Sequence, residues 1–137
     1  MNLLLEIITP EKVVYKDEVN EVVVPTVNGE IAILPNHINL LTQVNPGELI
    51  VKKGLSQQSL AITGGFLEVS ENKISILADY AIKAQDIEVA RATEAKKRAE
   101  KVMTEKATDN ELRIAQAEMI KAILELKVAT KHKRRAI

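Results

Sequence analysis

The chain has 137 residues, and its 19 basic and 19 acidic side chains leave no net charge at pH 7. It contains no cysteine, which excludes a disulfide framework and a thiolate nucleophile. No apolar run approaches the roughly 18 residues of a transmembrane helix, and the first eight residues lack the basic segment of a signal peptide. We therefore expect a soluble, intracellular chain.

Two parts of the chain differ in composition. All five glycines and all four prolines lie within the first 65 residues. Residues 1–84 carry ten acidic and six basic side chains, net −4, whereas residues 85–137 carry nine acidic and thirteen basic ones, net +4. Glycine and proline mark turns between short strands, and their absence favours long helices. We predict a β-sandwich domain over residues 1–84 and a helical hairpin domain over residues 85–137.

Apolar residues in the first part recur at every second position, which is typical of strands with one buried face. Two continuous apolar runs, residues 22–24 and 31–34, instead indicate strands covered on both faces. Frequent turn signals, without a helix-length segment between them, favour an antiparallel sandwich or flattened barrel over a parallel α/β sheet. The alternating segments are Leu3-Leu5-Ile7, Leu49-Val51, Leu60-Ile62, Leu67-Val69 and Ile74-Ile76-Ala78; the turn signals are Thr9-Pro10, Pro25, Asn28-Gly29, Pro35-Asn36, Asn45-Pro46-Gly47, Lys53-Gly54, Gly64-Gly65 and Glu71-Asn72.

The second part has the period of two helices packed against each other. Asp86 is expected to N-cap the first helix, which extends from about Ile87 to Lys106. Thr108 and Glu111 have the spacing of a capping box, so we predict a break near Ala107 and a second helix after it. The predicted seam residues are Val89, Ala92, Ala95, Ala99, Val102 and Lys106 on the first helix, and Leu112, Ala115, Met119, Ala122, Leu126 and Ala129 on the second.

The second helix carries more apolar residues than the first can cover. Beyond its seam it has a second apolar row. Burying one Ile or Leu stabilises by roughly 1.5–3 kcal/mol, and a first helix lined with alanine is too small to cover both rows. This row packs either on the chain's own sandwich or on a partner, and a hairpin that moves would allow both. The row consists of Ala117, Ile120, Ile123, Leu124 and Val128.

The sequence contains no motif typical of catalysis or of metal binding. Its two histidines, His37 and His132, are too far apart for a metal cluster of known spacing, and we expect His37 to be a turn residue. Gly64-Gly65 lacks the following Lys and helix of a phosphate loop, so we expect a turn or bulge where strands approach closely. The basic C-terminal tail has no interleaved aromatics, which argues against nucleic-acid binding. We predict a protein that is not an enzyme and has no metal.

Four segments, in order along the chain, resemble the bacterial F-type ATP synthase epsilon subunit. The first extends from Gly29 to His37 and closes in Leu40-Leu41; the others are residues 64–69, 76–81 and 87–92. The resemblance covers essentially the whole chain. It implies a flattened β-sandwich of about ten strands followed by a two-helix hairpin, in agreement with the division predicted from composition.

The resemblance also implies a function. Such a subunit is a non-catalytic part of the central stalk, whose sandwich binds the gamma subunit and the c-ring and transmits rotation to the catalytic head. The hairpin inhibits ATP hydrolysis when it extends along gamma toward the alpha and beta subunits. The complex would place the chain at the cytoplasmic face of the bacterial plasma membrane, with membrane contact only through other subunits. The implied c-ring- and gamma-facing turn includes Glu30, Pro35, Asn36 and His37, and the implied inhibitory helix and tail include Ile120, Leu124, Lys133, Arg134 and Arg135.

Some members of this family also bind ATP, through a segment of Ile or Leu, Asp, two variable residues, Arg and Ala. Here Glu88 replaces the Asp, and Glu125 stands where an Arg is expected. A longer carboxylate and a misplaced negative charge both weaken an anion site, so we expect ATP to be at most a weak regulatory ligand. The other residues of this candidate site are Ile87, Arg91, Ala92, Arg98 and Lys121, the last replacing an Arg. Alternatively, Glu88, Arg91 and Arg98 form a solvated helix face with ordinary ion pairs.

Three hypotheses therefore follow from the sequence. The first is a coupling and inhibitory subunit of a rotary ATPase. The second is a nucleotide-sensing module whose hairpin folds around ATP. The third, which ignores the resemblance, is a free β-sandwich adaptor that presents a helical hairpin. Copurification with a membrane-extracted ATPase separates the first from the third, and titration with MgATP tests the second.

Overall fold

A computed structural model describes residues 2–135. The chain divides after Lys83 into two compact units. The first contains ten strands, and the second contains a 3₁₀ turn and two helices. The predicted fold class, a β-sandwich followed by a two-helix hairpin, is confirmed.

The ten strands form one strongly curved sheet. Its order along the hydrogen-bonded path is β10-β7-β6-β3-β5-β8-β9-β1-β2, and β4 pairs with β3 off this path. The strands are β1 (Leu3–Ile8), β2 (Val13–Val19), β3 (Glu21–Thr26), β4 (Gly29–Ile33), β5 (Leu40–Val44), β6 (Gly47–Lys53), β7 (Ser56–Ile62), β8 (Gly65–Ser70), β9 (Lys73–Ala78) and β10 (Ala81–Lys83).

One strand pair differs from the antiparallel arrangement that the sequence predicts. β1 and β9 are parallel, with Leu5 opposite Ile74 and Ile7 opposite Ile76, while the other pairings among the described strands are antiparallel. The period of two is the same in both arrangements, so the sequence pattern cannot distinguish them. The parallel pair joins the first strand to the end of the sheet path formed by β5, β8 and β9.

The predicted alternation describes the core correctly. Leu3, Leu5 and Ile7 are fully buried, and so are the inward residues of β6, β7, β8 and β9. Each such Leu or Ile contributes roughly 1.5–3 kcal/mol through burial. The strands thus enclose one apolar core that the helices are not needed to explain.

The two continuous apolar runs are not covered on both faces, so that expectation is wrong. Val22, Val24 and Ile33 are buried, but Ala32 is exposed and Leu34 is half exposed. These strands therefore alternate like the others. An apolar residue at an outward position is not buried by its own polarity. It is buried only if another element packs against that face of the sheet.

Pro25 does not form a turn, in contrast to the prediction. It lies within β3, opposite Glu30 of β4. β3 pairs with β6 as far as Val23 and with β5 from Thr26, so Pro25 lies where the ladder passes from one neighbour to the other. A residue without an N–H is tolerated at such a change of partner. Its carbonyl still accepts a hydrogen bond from the Asn45 N–H at 3.0 Å.

Side chains connect β2, at one end of the sheet path, with β10 at the other end and with β6. Lys83 of β10 lies 5.7 Å from the ring centroid of Tyr15 on β2. Lys53 of β6 pairs with Asp17 of β2 at 2.5 Å, and this hydrogen bond lowers the pKa of the Asp17 carboxyl below its ordinary value of 3.8. Any stabilisation from this exposed pair is present above that value and is lost as the pH falls below it.

The second unit contains a 3₁₀ turn at Ala84–Asp86, α1 (Val89–Thr104) and α2 (Asp109–Arg135). The prediction that Asp86 caps α1 is wrong, because Asp86 ends the 3₁₀ turn and Glu88 is the N-cap. The predicted start of α2, with Thr108 as its N-cap, is confirmed. Thr108 Oγ1 accepts the Glu111 N–H at 3.2 Å and donates to Glu111 Oε1 at 3.0 Å.

The seam between the helices is built mainly of alanine. Ala92 and Ala99 on α1 and Ala115 and Ala122 on α2 are buried, as predicted. Other predicted seam residues are less covered: Val89 is half exposed, and Lys106 is exposed beyond the end of α1. Val128, assigned to the second row of α2, is buried. Because alanine buries little area, the contact between the helices is weak for its length.

Gly65 confirms the expected close approach of strands at the Gly64-Gly65 pair. Its φ is +140°, and a Cβ built there would lie 2.0 Å from the carbonyl oxygen of Leu77 on β9. Any side chain at this position would therefore push β8 away from β9. Gly54, in the turn between β6 and β7, also has positive φ (+59°) but has open space around it.

We predict that Gly65→Ala destabilises the strand unit much more than Gly54→Ala. Both changes carry the cost of positive φ, about 1–2 kcal/mol, but Gly65→Ala adds overpacking of about 1–3 kcal/mol or more. Urea unfolding of the two variants measures the difference. Equal losses of stability would show that the strands separate freely at Gly65.

Candidate functional site

The loop of residues 34–39 connects β4 to β5 and contains most of the predicted c-ring- and gamma-facing turn. Pro35 is half-buried and Asn36 is exposed with φ +68°. The backbone N–H of Asn36 donates to the side-chain Oδ1 of Asn72 at 2.6 Å. Asn72 lies in the turn between β8 and β9, so this bond connects two loops 36 residues apart in sequence.

His37 is more buried than Ile38, which is the reverse of what their polarity predicts. His37 is half-buried, and its Nδ1 lies 2.7 Å from the Ile38 carbonyl oxygen. A carbonyl only accepts, so Nδ1 carries the proton in this arrangement. Ile38 is 79% exposed and the nearby Leu41 is 71% exposed. Asn36 is exposed, but the loop also presents apolar surface at Ile38 that its sequence does not predict.

A row of apolar side chains crosses the outer face of the sheet. Phe66 of β8 is opposite Leu77 of β9, Leu77 is opposite Ile8 of β1, and Ile8 is opposite Val13 of β2. Phe66, Leu77 and Val13 are each more than half exposed, at 56%, 58% and 53%. We call these four residues the outer row.

The outer row could have been found from the sequence. Phe66 and Leu77 stand at outward positions of strands whose inward positions were correctly predicted, and both are large and apolar. If this face only contacted water, polar residues at these outward positions would serve equally well. A contiguous apolar row on a sheet exterior is typical of a surface that binds another protein.

Two residues of the candidate ATP site on α1 form an ion pair with each other. Arg91 Nη1 lies 3.6 Å from Glu88 Oε2, and both side chains are largely exposed. Ala92 is buried, and its N–H donates to the Glu88 carbonyl at 3.1 Å. Arg98 is exposed two turns after Arg91, on the same face of α1. The Glu88–Arg91 pair is compatible with the alternative interpretation, a solvated helix face with ordinary ion pairs, and the assignment of these residues stays a prediction.

The α2 residues of the candidate ATP site differ from each other in exposure. Lys121 is half-buried, and Glu125, one turn later on the same face, is only 9% exposed. A nearly buried carboxylate at this position opposes the binding of a phosphate group. The assignment of these residues, with Ile87 in the link before α1, stays a prediction.

The predicted inhibitory helix presents apolar and basic groups at different positions along α2. Ile120 and Ile123 are about half exposed, whereas Leu124 is half-buried. Lys133, Arg134 and Arg135 are exposed in the last turn, where cations interact favourably with the helix dipole.

Comparisons with known proteins cover both units. The sequence profile of the ATP synthase, Delta/Epsilon chain, beta-sandwich domain matches residues 2–84, and that of the ATP synthase, Delta/Epsilon chain, long alpha-helix domain matches residues 85–130. The chain belongs to the ATP synthase delta/epsilon chain family. The resemblance to the bacterial F-type epsilon subunit is thus confirmed.

Curated relatives agree with this assignment. An ATP synthase epsilon chain from Dehalococcoides mccartyi is 44% identical over 133 residues, which cover 96% of this chain and 95% of the relative. An ATP synthase epsilon chain from Desulforamulus reducens is 42% identical over 125 residues, covering 91% and 95%. Both relatives match across the strand unit and the helices.

Solved structures show the same fold. A chain in the Euglena gracilis mitochondrial ATP synthase, in a structure of OSCP, F1 and c-ring, has a TM-score of 0.73 at 24% identity, covering 96% of this chain and 82% of that one. A chain in the Tetrahymena thermophila mitochondrial ATP synthase central stalk and c-ring has a TM-score of 0.63 at 17% identity, covering 94% and 97%.

Two further properties concern residues 2–135. Within this range no helix is both long and apolar enough to cross a membrane. The same residues include no group of three or more His, Asp or Glu side chains placed to hold a metal ion.

We predict weak or absent binding of MgATP to the unmodified chain, measurable by isothermal titration. The triple variant Glu88→Asp, Lys121→Arg, Glu125→Arg restores the family's ATP-binding pattern and is expected to bind at least ten-fold more tightly. Adding Arg91→Ala to the triple variant should remove that gain. Tight binding by the unmodified chain would contradict the prediction, and circular dichroism controls for the fold of the variants.

Proposed function

We propose that this chain is a non-catalytic central-stalk subunit of a bacterial F-type ATP synthase. Its strand unit binds the gamma subunit and the c-ring, and its hairpin regulates ATP hydrolysis through the alpha and beta subunits. It lies at the cytoplasmic face of the plasma membrane and contacts the membrane only through the complex. The family membership supports the complex, and the outer row is the observation that carries the docking of the strand unit.

The outer row supports a protein partner because it leaves large apolar groups in water. An aromatic side chain alone can bury 150–250 Å² in an interface, and Phe66 is flanked across the sheet by Leu77. Since the row crosses β8, β9, β1 and β2, a partner that covers it contacts four strands at once. We assign this surface to the gamma subunit.

The loop of residues 34–39 supports a second contact. It is held at Asn36 by a bond to a neighbouring turn, and it presents Ile38 to solvent. We assign it to the c-ring. Two proteins of the same fold come from mitochondrial ATP synthase assemblies that include the c-ring.

Exposed apolar and basic side chains on α2 support a regulatory role for the hairpin. Ile120 and Ile123 remain accessible, and the last turn is basic. A helix that exchanges partners has to tolerate exposure of its contact residues in each state. The exposed Glu88–Arg91 pair and the buried Glu125 disfavour the nucleotide-sensing alternative.

Docking is tested with the double variant Phe66→Ser, Leu77→Ser. Both side chains are largely exposed, so we expect little change in melting temperature. Losing two buried apolar contacts of about 1–2 kcal/mol each should weaken binding to a synthase stripped of this subunit by roughly 30-fold or more. Leu55→Ser, at a fully exposed apolar residue in the β6–β7 turn and outside the outer row, is the matched control.

Unchanged binding of the double variant would remove the outer row from the interface. Failure of the unmodified chain to copurify with a membrane-extracted ATPase would favour the free adaptor instead.

Regulation is tested by measuring ATP hydrolysis of the reconstituted complex against ionic strength. A stop after Ala84 removes the hairpin and should give the fully relieved rate while ATP synthesis persists. If the basic tail holds the inhibited state, reversing Lys133, Arg134 and Arg135 to Glu should relieve inhibition. Added salt should mimic this, because it shortens the distance over which charges attract below its physiological value of about 8 Å. If the apolar face of α2 holds it, Ile120→Ser or Leu124→Ser should relieve inhibition with little salt dependence.

A complex truncated after Ala84 that stays as inhibited as the intact one would show that the hairpin is not the regulator. A charge-reversal variant that stays fully inhibited would remove the tail alone from the mechanism.

A further inference from the structure

Asn72 connects three segments of the strand unit. It is the second residue of the two-residue turn between β8, which ends at Ser70, and β9, which begins at Lys73. Its side-chain Oδ1 accepts the Asn36 N–H at 2.6 Å. Its backbone carbonyl accepts the Leu4 N–H of β1 at 2.9 Å. One residue thus joins the loop of residues 34–39, the β8–β9 turn and the start of β1.

The position requires two properties that few residues combine. Its φ is +59°, in the left-handed region that glycine, asparagine and aspartate tolerate best. Its side chain also has to place an acceptor oxygen close to the backbone. Glycine supplies only the backbone conformation, whereas asparagine and aspartate supply both. Glu71, the other residue of the turn, has φ +49° and is exposed, so it shares the first requirement with Asn72.

The bond fixes a loop relative to the strands of the outer row. Asn36 has φ +68° and lies between β4 and β5, outside the sheet ladder. The two strands joined by the Asn72 turn carry Phe66 and Leu77, and β1 carries Ile8. Holding the loop to this turn therefore holds Ile38 and His37 at a set position relative to the outer row.

We propose that Asn72 is a positioning residue that holds the loop of residues 34–39 at a fixed position relative to the outer row. The two surfaces then bind the rotor, formed by the gamma subunit and the c-ring, at the same time. The proposal rests on the proposed function for its consequence in the complex, but not for the bond itself. Without the Asn72 acceptor, the loop keeps its sequence and its exposed groups and loses its fixed position.

The first measurement uses NMR on the isolated full chain. Asn72→Gly keeps the backbone conformation and removes the acceptor, so amide exchange at Asn36 should accelerate at least ten-fold and its amide proton should shift upfield. Asn72→Asp keeps the acceptor and should stay within about three-fold of the unmodified chain. Glu71→Gly introduces the same glycine flexibility in the same turn and is the matched control. Equal Asn36 exchange in Asn72→Gly and Glu71→Gly would overturn the proposal.

The second measurement uses a synthase stripped of this subunit and reconstituted with each variant. Proton pumping per ATP hydrolysed should fall at least two-fold with Asn72→Gly and should be retained with Asn72→Asp and Glu71→Gly. If NMR shows faster Asn36 exchange in Asn72→Gly but proton pumping per ATP hydrolysed is undiminished, Asn72 does not have the proposed role in the complex. Failure of the unmodified chain itself to restore coupling would instead count against the proposed function, and the two failures are thereby distinguished.

Discussion

The structure of the strand unit depends on one constraint, the alternation of side chains between the two faces of each strand. A slip of one residue would move a whole row of Leu, Ile and Val from the core into water, so the buried rows fix the register firmly. Leu5 opposite Ile74 and Leu67 opposite Ile76 are examples of pairs set in this way. The outward positions do not contribute to this core and are free to serve contacts. The outer row occupies such positions, which is why large apolar residues can lie there without disturbing the fold.

Sequence reasoning predicted the parts of the fold that local patterns determine. The inward rows, most turns, the Thr108 N-cap and the alanine seam follow from period, turn chemistry and spacing, and they are confirmed. The parallel pairing of β1 with β9 and the position of Pro25 within β3 depend on which strands become neighbours. That information is not present in any one segment. The cap of α1 was misplaced because Asp86 is the better capping residue by type, while the chain first completes a 3₁₀ turn.

The candidate site was predictable in its location but not in its detail. The turn near His37 and the basic end of α2 were identified from motifs and charge, and their assignments as contact sites stay predictions. Asn72 could not be found in this way, since its bond to Asn36 spans 36 residues and an Asn in a Glu-Asn turn needs no further explanation. The hydrogen-bond distance between His37 Nδ1 and the Ile38 carbonyl oxygen was likewise not predictable from the sequence pattern.

The two units differ in how strongly they are held together, and this difference suits the proposed roles. Large side chains fill the strand core, each contributing roughly 1.5–3 kcal/mol, whereas an alanine methyl in the helix seam contributes about 0.8 kcal/mol or less. A rotor contact has to transmit torque without deforming, which a tightly packed sandwich with a pinned loop can do. A regulator has to leave one set of contacts for another, and the cost of leaving is low where the seam is Ala92, Ala99, Ala115 and Ala122. The exposed Ile120 and Ile123 then provide α2 with apolar surface that its own hairpin does not use.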